Sequence, residues 1–271
     1  MRFALKIAYL GSQYHGWQRQ PNVITVEGTI LQILKRLKVL TELKNAKYGY
    51  TSRTDAFVHS LSQVMAFNTN KELNINRINE YLPQDVCILS IRRVPPSFRP
   101  RYDYKQKTYR YVVPYRQENL NCMRRAAQFL EGTHDFSSFV KTTPNRPRVT
   151  TITNIDIHKE RTTLILDFSS NWGFYWQQVR RMVTFLILCG HGEISPDETL
   201  DYLNETKLPK LQPASPHQLI LKEASFPNIV FKPSSKAITK FYSYLESVTQ
   251  SSLTLPEIIN EFKEYIGLHN S

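Results

Sequence analysis

The stretch YTSRTDAFVHS, Tyr50–Ser60, joins two segments of strand character, Ala46–Thr51 and Gln63–Phe67. It sets an Arg, a Thr and an Asp in a row, with a His four residues after the Asp, an order that a plain surface turn does not need. Loops held by flanking strands are where chemistry tends to be placed, so Asp55, Arg53 and His59 are the first candidates for function. An Asp in such a connection can equally be a turn former or a helix cap.

Upstream, RFALKIAYL alternates Phe3, Leu5, Ile7 and Tyr9 with smaller or polar residues, the pattern of a half-buried strand. A Gly-bounded loop, GSQYHGWQRQP, follows, and Thr25 can cap a helix with Ile30, Leu34 and Leu37 at helical spacing and Glu27 in its first turn. Downstream, a short helix over Ile75–Tyr81 ends before Pro83, and strands are expected at Val86–Val94 and Lys107–Pro114. The second half repeats the mixture: a helix over Asn119–Leu130 with Gly132 beyond it, and strands at Val149–His158 and Thr162–Phe168. A helix from Phe174 to about Leu188 then carries the apolar stripe Val179, Met182, Val183 and Leu186. SPDE at Ser195–Glu198 is a capping box that starts another helix, and Leu219–Ala224 is the last strand. Strands and helices alternate without a parallel βαβ glycine signature, which predicts an α+β fold with a largely antiparallel sheet.

A chain of 271 residues with 41 % apolar content can bury a sizeable core in one large or two smaller domains. It has no apolar run of membrane-spanning length, and its N-terminus turns polar too soon for a signal peptide, so a cytoplasmic protein is expected. Cys87, Cys122 and Cys189 are widely separated and odd in number, which fits buried thiols better than a disulfide framework or a zinc set. The 35 Lys+Arg against 23 Asp+Glu leave a net charge of +12, an excess that attracts nucleic acid through release of its counterions. Between Arg92 and Arg110 stand Arg92, Arg93, Arg99, Arg101, Lys105, Lys107 and Arg110 with one acid, Asp103, interleaved with Tyr102, Tyr104 and Tyr109. Cations for phosphates and rings for bases suit single-stranded or flipped RNA. The tail beyond Lys240, with Glu246, Glu257, Glu261 and Glu264, reads instead as helical packing.

A metal site from His15, Asp55, His59 and His134–Asp135 lacks helical ligand spacing, and a serine hydrolase lacks its G-x-S-x-G elbow. Trp176, Arg180 and Thr184 share one face of the expected helix, which places Arg180 at the edge of buried surface, where an Arg seeks a carboxylate. Tyr109 and Tyr111 lie two apart in a strand and point to one face, with Arg110 opposite; they are core rings or base-stacking rings.

Taken together, these residues resemble the TruA-type tRNA pseudouridine synthases, from Lys6 to about Pro227. YLGSQYHGWQRQP with TVEG is similar to the family's N-terminal signature, and SRTDAFVHS to its G-R-T-D-A-G-V-H-A, which places the catalytic aspartate on Asp55. FRPRYDYKQKTYRY, Phe98–Tyr111, resembles the F-x-A-R and Y-x-Y segments and carries the active-site tyrosine to Tyr109. GFYWQQVRRMV, Gly173–Val183, resembles G-F-L-x-x-M-V-R-x-x-V and puts the active-site arginine on Arg180; GTHDFSSF and PASPHQLIL are further matches. The chain departs from the pattern at Ser52 and Phe57, which stand for glycines, and at Pro100, Gln178 and Thr184. If the second glycine uses a positive φ, a Phe costs about 1–2 kcal/mol there, which would favour a different path for the loop.

The resemblance implies a cofactor-free, metal-free isomerisation of uridine to pseudouridine in tRNA, in the anticodon stem-loop at positions 38 to 40; relatives of eukaryotic type act elsewhere. Asp55, ionised at neutral pH, would attack C1′ or act as base at C2′, and Arg180 would hold it in place. Tyr109 would cover the uracil of a flipped nucleotide, with its hydroxyl a candidate for proton removal at C5. Arg53 would hold the nucleotide's backbone or fill its place in the stem, and Arg19, Arg101, Lys107 and Arg110 would grip phosphates. The implied architecture is two ferredoxin-like α+β subdomains sharing an extended sheet with a central cleft, in a homodimer. The expected division is 1–106 with the Asp loop, 107–228, and a helical extension 229–271. The alternatives are an RNA-binding relative without activity and a metal-dependent RNA hydrolase.

Overall fold

The computed structural model describes residues 1–40, 42–141, 148–204, 211–251, 259–260 and 262–263. The first half of the chain forms β1 (Arg2–Tyr9), α1 (Val26–Arg36), β2 (Gly49–Tyr50), β3 (His59–Asn68), α2 (Ile75–Tyr81), β4 (Val86–Arg93), β5 (Gln106–Pro114) and α3 (Leu120–Leu130). The second half forms β6 (Gly132–Asp135), β7 (Val149–Ile152), β8 (Asn154–Glu160), β9 (Thr163–Ser170), α4 (Gln178–His191), α5 (Thr199–Asn204), β10 (Leu219–Ser225) and α6 (Ser235–Ser251). The α+β class is as expected. The chain divides into two compact units, Met1–Lys105 with Ile220–Ser271, and Gln106–Leu219. Residues 220–228, which the sequence division puts with the second half, therefore group with the first unit.

In the first unit the strands run in the order β4-β1-β3-β10. β1 is antiparallel to β3 and β4, and β10 runs parallel to β3, pairing Ile220 with His59 and Leu221 with Ser60. Leu5, Ile7 and Tyr9 of β1 pack with Ile30 and Leu34 of α1 and with Met65 and Phe67 of β3. The α1 start is as its sequence predicts, with the Thr25 side chain accepting from the Gly28 N–H. β1 itself departs from the half-buried pattern: every one of its residues is buried. Its other face carries Ala4, which joins Val64 and Ala66 under Val94, Phe98, Ala224 and Phe226. Small side chains here leave room for a covering layer contributed by the segments that follow β4 and end β10, which local alternation cannot announce. Lys6 on the same face is buried and pairs with Glu223 of β10 at 3.5 Å.

In the second unit β9 lies between β5 and β8, antiparallel to both. The expected single strand Val149–His158 is two: β7 pairs with β6, and β8 with β9. Phe139, Phe185 and Tyr202 form an aromatic cluster at centroid distances of 5.0–5.8 Å that seats α4 and α5. The capping box Ser195–Glu198 is complete, with both reciprocal bonds made. Cys87 and Cys189 are buried and Cys122 half-buried, all as free thiols. The tail acids Glu257, Glu261 and Glu264 lie outside the described residues. No described helix is long and apolar enough to cross a membrane.

Candidate active site

Asp55 sits half-buried on the loop that leads into β3, beside exposed Arg53 and buried Thr54. The loop is clasped by main-chain bonds to Leu10–Trp17: Trp17 N–H donates to Thr54 O (3.1 Å) and Phe57 N–H to Tyr14 O (3.1 Å). Tyr9 and Thr54 share a hydroxyl–hydroxyl bond of 2.7 Å. Gln63 braces the entrance through both amide ends, accepting from Ser52 N–H (3.1 Å) and donating to Ser52 O (2.7 Å). The two segments approach so closely that a Cβ on Gly11 would lie 2.1 Å from Val58 O, and one on Gly16, at φ +88°, 2.8 Å from Thr54 O. His59 is fully buried, and its Nδ1 accepts the Gly11 N–H at 3.1 Å, so it is a strut of the clasp.

The two substitutions for glycine have different consequences. Ser52 has no positive φ and needs no glycine. Phe57 does adopt the left-handed region, at φ 69°, as the third residue of a turn closed by Val58 N–H to Asp55 O. That is the type II pattern, and the strain of about 1–2 kcal/mol is offset locally by the Phe57 amide bond to Tyr14 and by its ring, 5.9 Å from that of His15. The bulky residue has not removed the positive φ.

Arg19, Arg53 and Arg101 converge electrostatically on Tyr50: burial and the Glu27 carboxylate push its hydroxyl pKa up, and the three guanidinium groups pull it back. Glu27, expected only as a favourable first-turn acid, is buried and accepts from the Arg19 N–H at 2.6 Å.

In the second unit, β5 places Tyr109 opposite Phe168, Arg110 opposite Asp167 and Tyr111 opposite Leu166. Tyr109 is half-buried, its ring 5.4 Å from Phe174 and edge-on at 89°. Tyr111 is a core ring; burial raises its hydroxyl to about 12, against the opposing pull of the Arg180 charge and a main-chain bond from Ser215. Arg110 corrects an expectation, because it is 9 % exposed and grips Asp167 with Nε and a terminal nitrogen, both at 2.7 Å. Lys107 is likewise buried rather than presented on the surface.

Arg180 lies half-buried in the first turn of α4, its Nε donating to Ala214 O at 2.5 Å while its own carbonyl accepts the Ala214 N–H at 3.0 Å. Thr184 donates to Gln212 O (2.8 Å), and Arg181 to Leu211 O, so this helix face is zipped to residues 211–214. The helix starts at Gln178, four residues later than expected, because Gly173 (φ 91°) and Gln177 (φ 62°) turn the chain before it. Trp176 is therefore outside the helix and does not share a helical face with Arg180. Gln178, a departure not assigned a role from sequence, is fully buried and accepts the Tyr175 N–H at 2.9 Å.

His134 Nε2 bonds Glu131 O, and Asp135 Oδ1 collects Ser137 N–H, Ser137 O–H and Arg148 N–H. Among the described residues there is no group of three or more His, Cys, Asp or Glu able to hold an ion.

A sequence model described as tRNA pseudouridine synthase matches residues 126–227. Over 248 residues the chain is 35 % identical to tRNA pseudouridine synthase A of Methanothermobacter thermautotrophicus, covering 90 % of this chain and 89 % of that one. The chain belongs to the tRNA pseudouridine synthase A family. It is also 37 % identical over 241 residues to the enzyme of that name from Thermococcus sibiricus, covering 89 % and 90 % of the two chains. Against that of Methanosarcina barkeri it is 41 % identical over 206 residues, covering 75 % and 76 %. The synthase A relationship thus spans both units, well beyond the part that the family model matches.

Proposed function

We propose that the chain isomerises uridine to pseudouridine in tRNA, in the anticodon stem-loop at positions 38 to 40, with Asp55 as the nucleophile. The observation that carries the reading is the relationship to enzymes named tRNA pseudouridine synthase A across about nine-tenths of the chain, together with an intact Arg53-Thr54-Asp55 on a clasped loop. In the reaction the N1–C1′ bond breaks, the uracil turns while bound, and C5 joins C1′; C5 loses its proton to solvent and N1 gains one. Asp55 acts at C1′ as nucleophile, or at C2′ as base, and returns unchanged. A loop fixed through main-chain bonds holds that carboxylate without needing the substrate to order it.

In this reading Tyr109 covers the uracil face and takes the C5 proton, and Arg180 orients the Asp55 carboxylate. Arg53, Arg101 and Arg19 hold the backbone of the flipped nucleotide and its neighbours. The remaining elements of the reading are a cytoplasmic enzyme and a homodimer in which one tRNA touches both subunits. Tritium release from C5-labelled uridine in a tRNA transcript, without added metal, tests the chemistry. Wild type should release tritium and Asp55→Asn should release none; an active Asp55→Asn enzyme overturns the assignment. Light scattering at micromolar concentration tests the dimer, which a monomer mass would refute.

A further inference from the structure

Beside Tyr50, the first unit holds an open pocket of about 590 Å³, between Lys47–Tyr50 on one side and Pro96–Tyr102 on the other. Its volume falls in the range that takes a molecule of nucleotide size. The back wall contains Arg2, which is 5 % exposed and is held by Phe98 O (2.7 Å), Lys47 O (2.9 Å) and the Asn68 carboxamide (3.1 Å). The three partners are neutral acceptors, and the Asp103 carboxylate partly offsets the charge of the guanidinium. Lys47 and Arg101, both exposed, add two more charges. The acid nearby, Asp103, is engaged by Arg99, accepting its N–H at 2.7 Å and pairing with its side chain at 3.7 Å. Tyr102 stands at the rim, 67 % exposed, and the Arg99 guanidinium lies 5.2 Å from its ring centre on one face. A ring of that size left in solvent, backed by a cation on a hydrogen-bonded turn, is a stacking platform.

We propose that this pocket is a second nucleotide site, which takes an unpaired nucleotide of the substrate RNA other than the uridine that reacts. The phosphate sits on Lys47 and Arg101 and the base stacks on Tyr102. Tyr50, on the pocket wall, is five residues from Asp55, so the Cα atoms of these two residues lie at most about 18 Å apart. The proposal rests on the chain acting on tRNA and adds where a neighbouring part of that RNA is held.

The test measures binding of an unmodified tRNA transcript and of an RNA duplex without unpaired nucleotides. Tyr102→Ala should weaken tRNA binding at least about fivefold and leave duplex binding unchanged, while Tyr102→Phe, which keeps the ring, should bind tRNA as wild type does. Lys47→Ala should weaken tRNA binding and lower its salt slope by about one. A photoreactive phenylalanine analogue at position 102 should crosslink to one unpaired nucleotide that is not the isomerised uridine. Unchanged affinity in Tyr102→Ala and Lys47→Ala, or crosslinks only to paired nucleotides or to the reacting uridine, overturns the second site. These results are separable from the reaction itself: a wild type that releases no tritium defeats the catalytic reading, whereas an active wild type with indifferent pocket variants defeats the pocket alone.

Discussion

Arg101 and Arg110 belong to one basic run of the sequence, yet they live in opposite environments. In the first unit Arg101 stays exposed on the edge of a cationic pocket, and its charge reaches Tyr50 together with those of Arg19 and Arg53. In the second unit Arg110 is buried in a strand and spends both faces of its fork on Asp167. The difference teaches that a run of like charges states an affinity for polyanions but not which of its members can reach one. A guanidinium taken out of water spends its donors on acceptors inside the protein, and one left in water keeps them for a phosphate.

The sharpest way to break this comparison is Arg110→Ala. Removing it takes both guanidinium bonds from the buried Asp167 carboxylate, so unfolding in denaturant should report a loss of about 3–5 kcal/mol, with little change in the salt dependence of tRNA binding for the folded fraction. A variant as stable as wild type but with a lower salt slope would return Arg110 to the phosphate-gripping set. Next in size is Arg101→Ala, which should unfold at the wild-type denaturant midpoint, bind tRNA less tightly and lose about one from the salt slope. If it were the destabilised variant, the two environments would have been exchanged.

The smallest effect concerns the other contrast within the first unit, between the glycines of the clasp and Phe57. Gly11 and Gly16 are required because main chain fills the space where a Cβ would go, whereas Phe57 holds its positive φ by packing. Phe57→Gly removes the strain but also the ring contact, and it makes the unfolded chain more flexible, so calorimetry should find stability changed by less than about 1 kcal/mol. Tritium release should persist. A loss of more than about 2 kcal/mol would mean that the ring, not the main-chain clasp, holds the Asp55 loop.

Most secondary elements were legible because their signals are local. Thr25 caps α1, Ile75–Tyr81 is helical as spaced, and Ser195–Glu198 makes its box, since each needs only residues within one turn. The misread places needed distant partners. The polar face of β1 is buried because Val94, Phe98 and Phe226, from the segments that follow β4 and β10, pack against it. Val149–Glu160 breaks into two strands because its halves pair with different neighbours. α4 begins late because two positive φ values precede it, one of them at a Gln that no pattern marks.

The residues alone thus state the chemistry on offer: an Arg-Thr-Asp in an ordered loop, tyrosines alternating along a strand, an excess of cations, and the family to which these motifs point. Which of those groups are available to use follows from how the chain packs. It turned His59 into a strut for Gly11, made Glu27 a buried anchor, withdrew Arg110 into an ion pair and left Arg101 facing a pocket. The physical reason is that residue type fixes charge, size and hydrogen-bonding capacity, while burial and the identity of the neighbour fix whether that capacity is spent inside the protein or kept for the substrate.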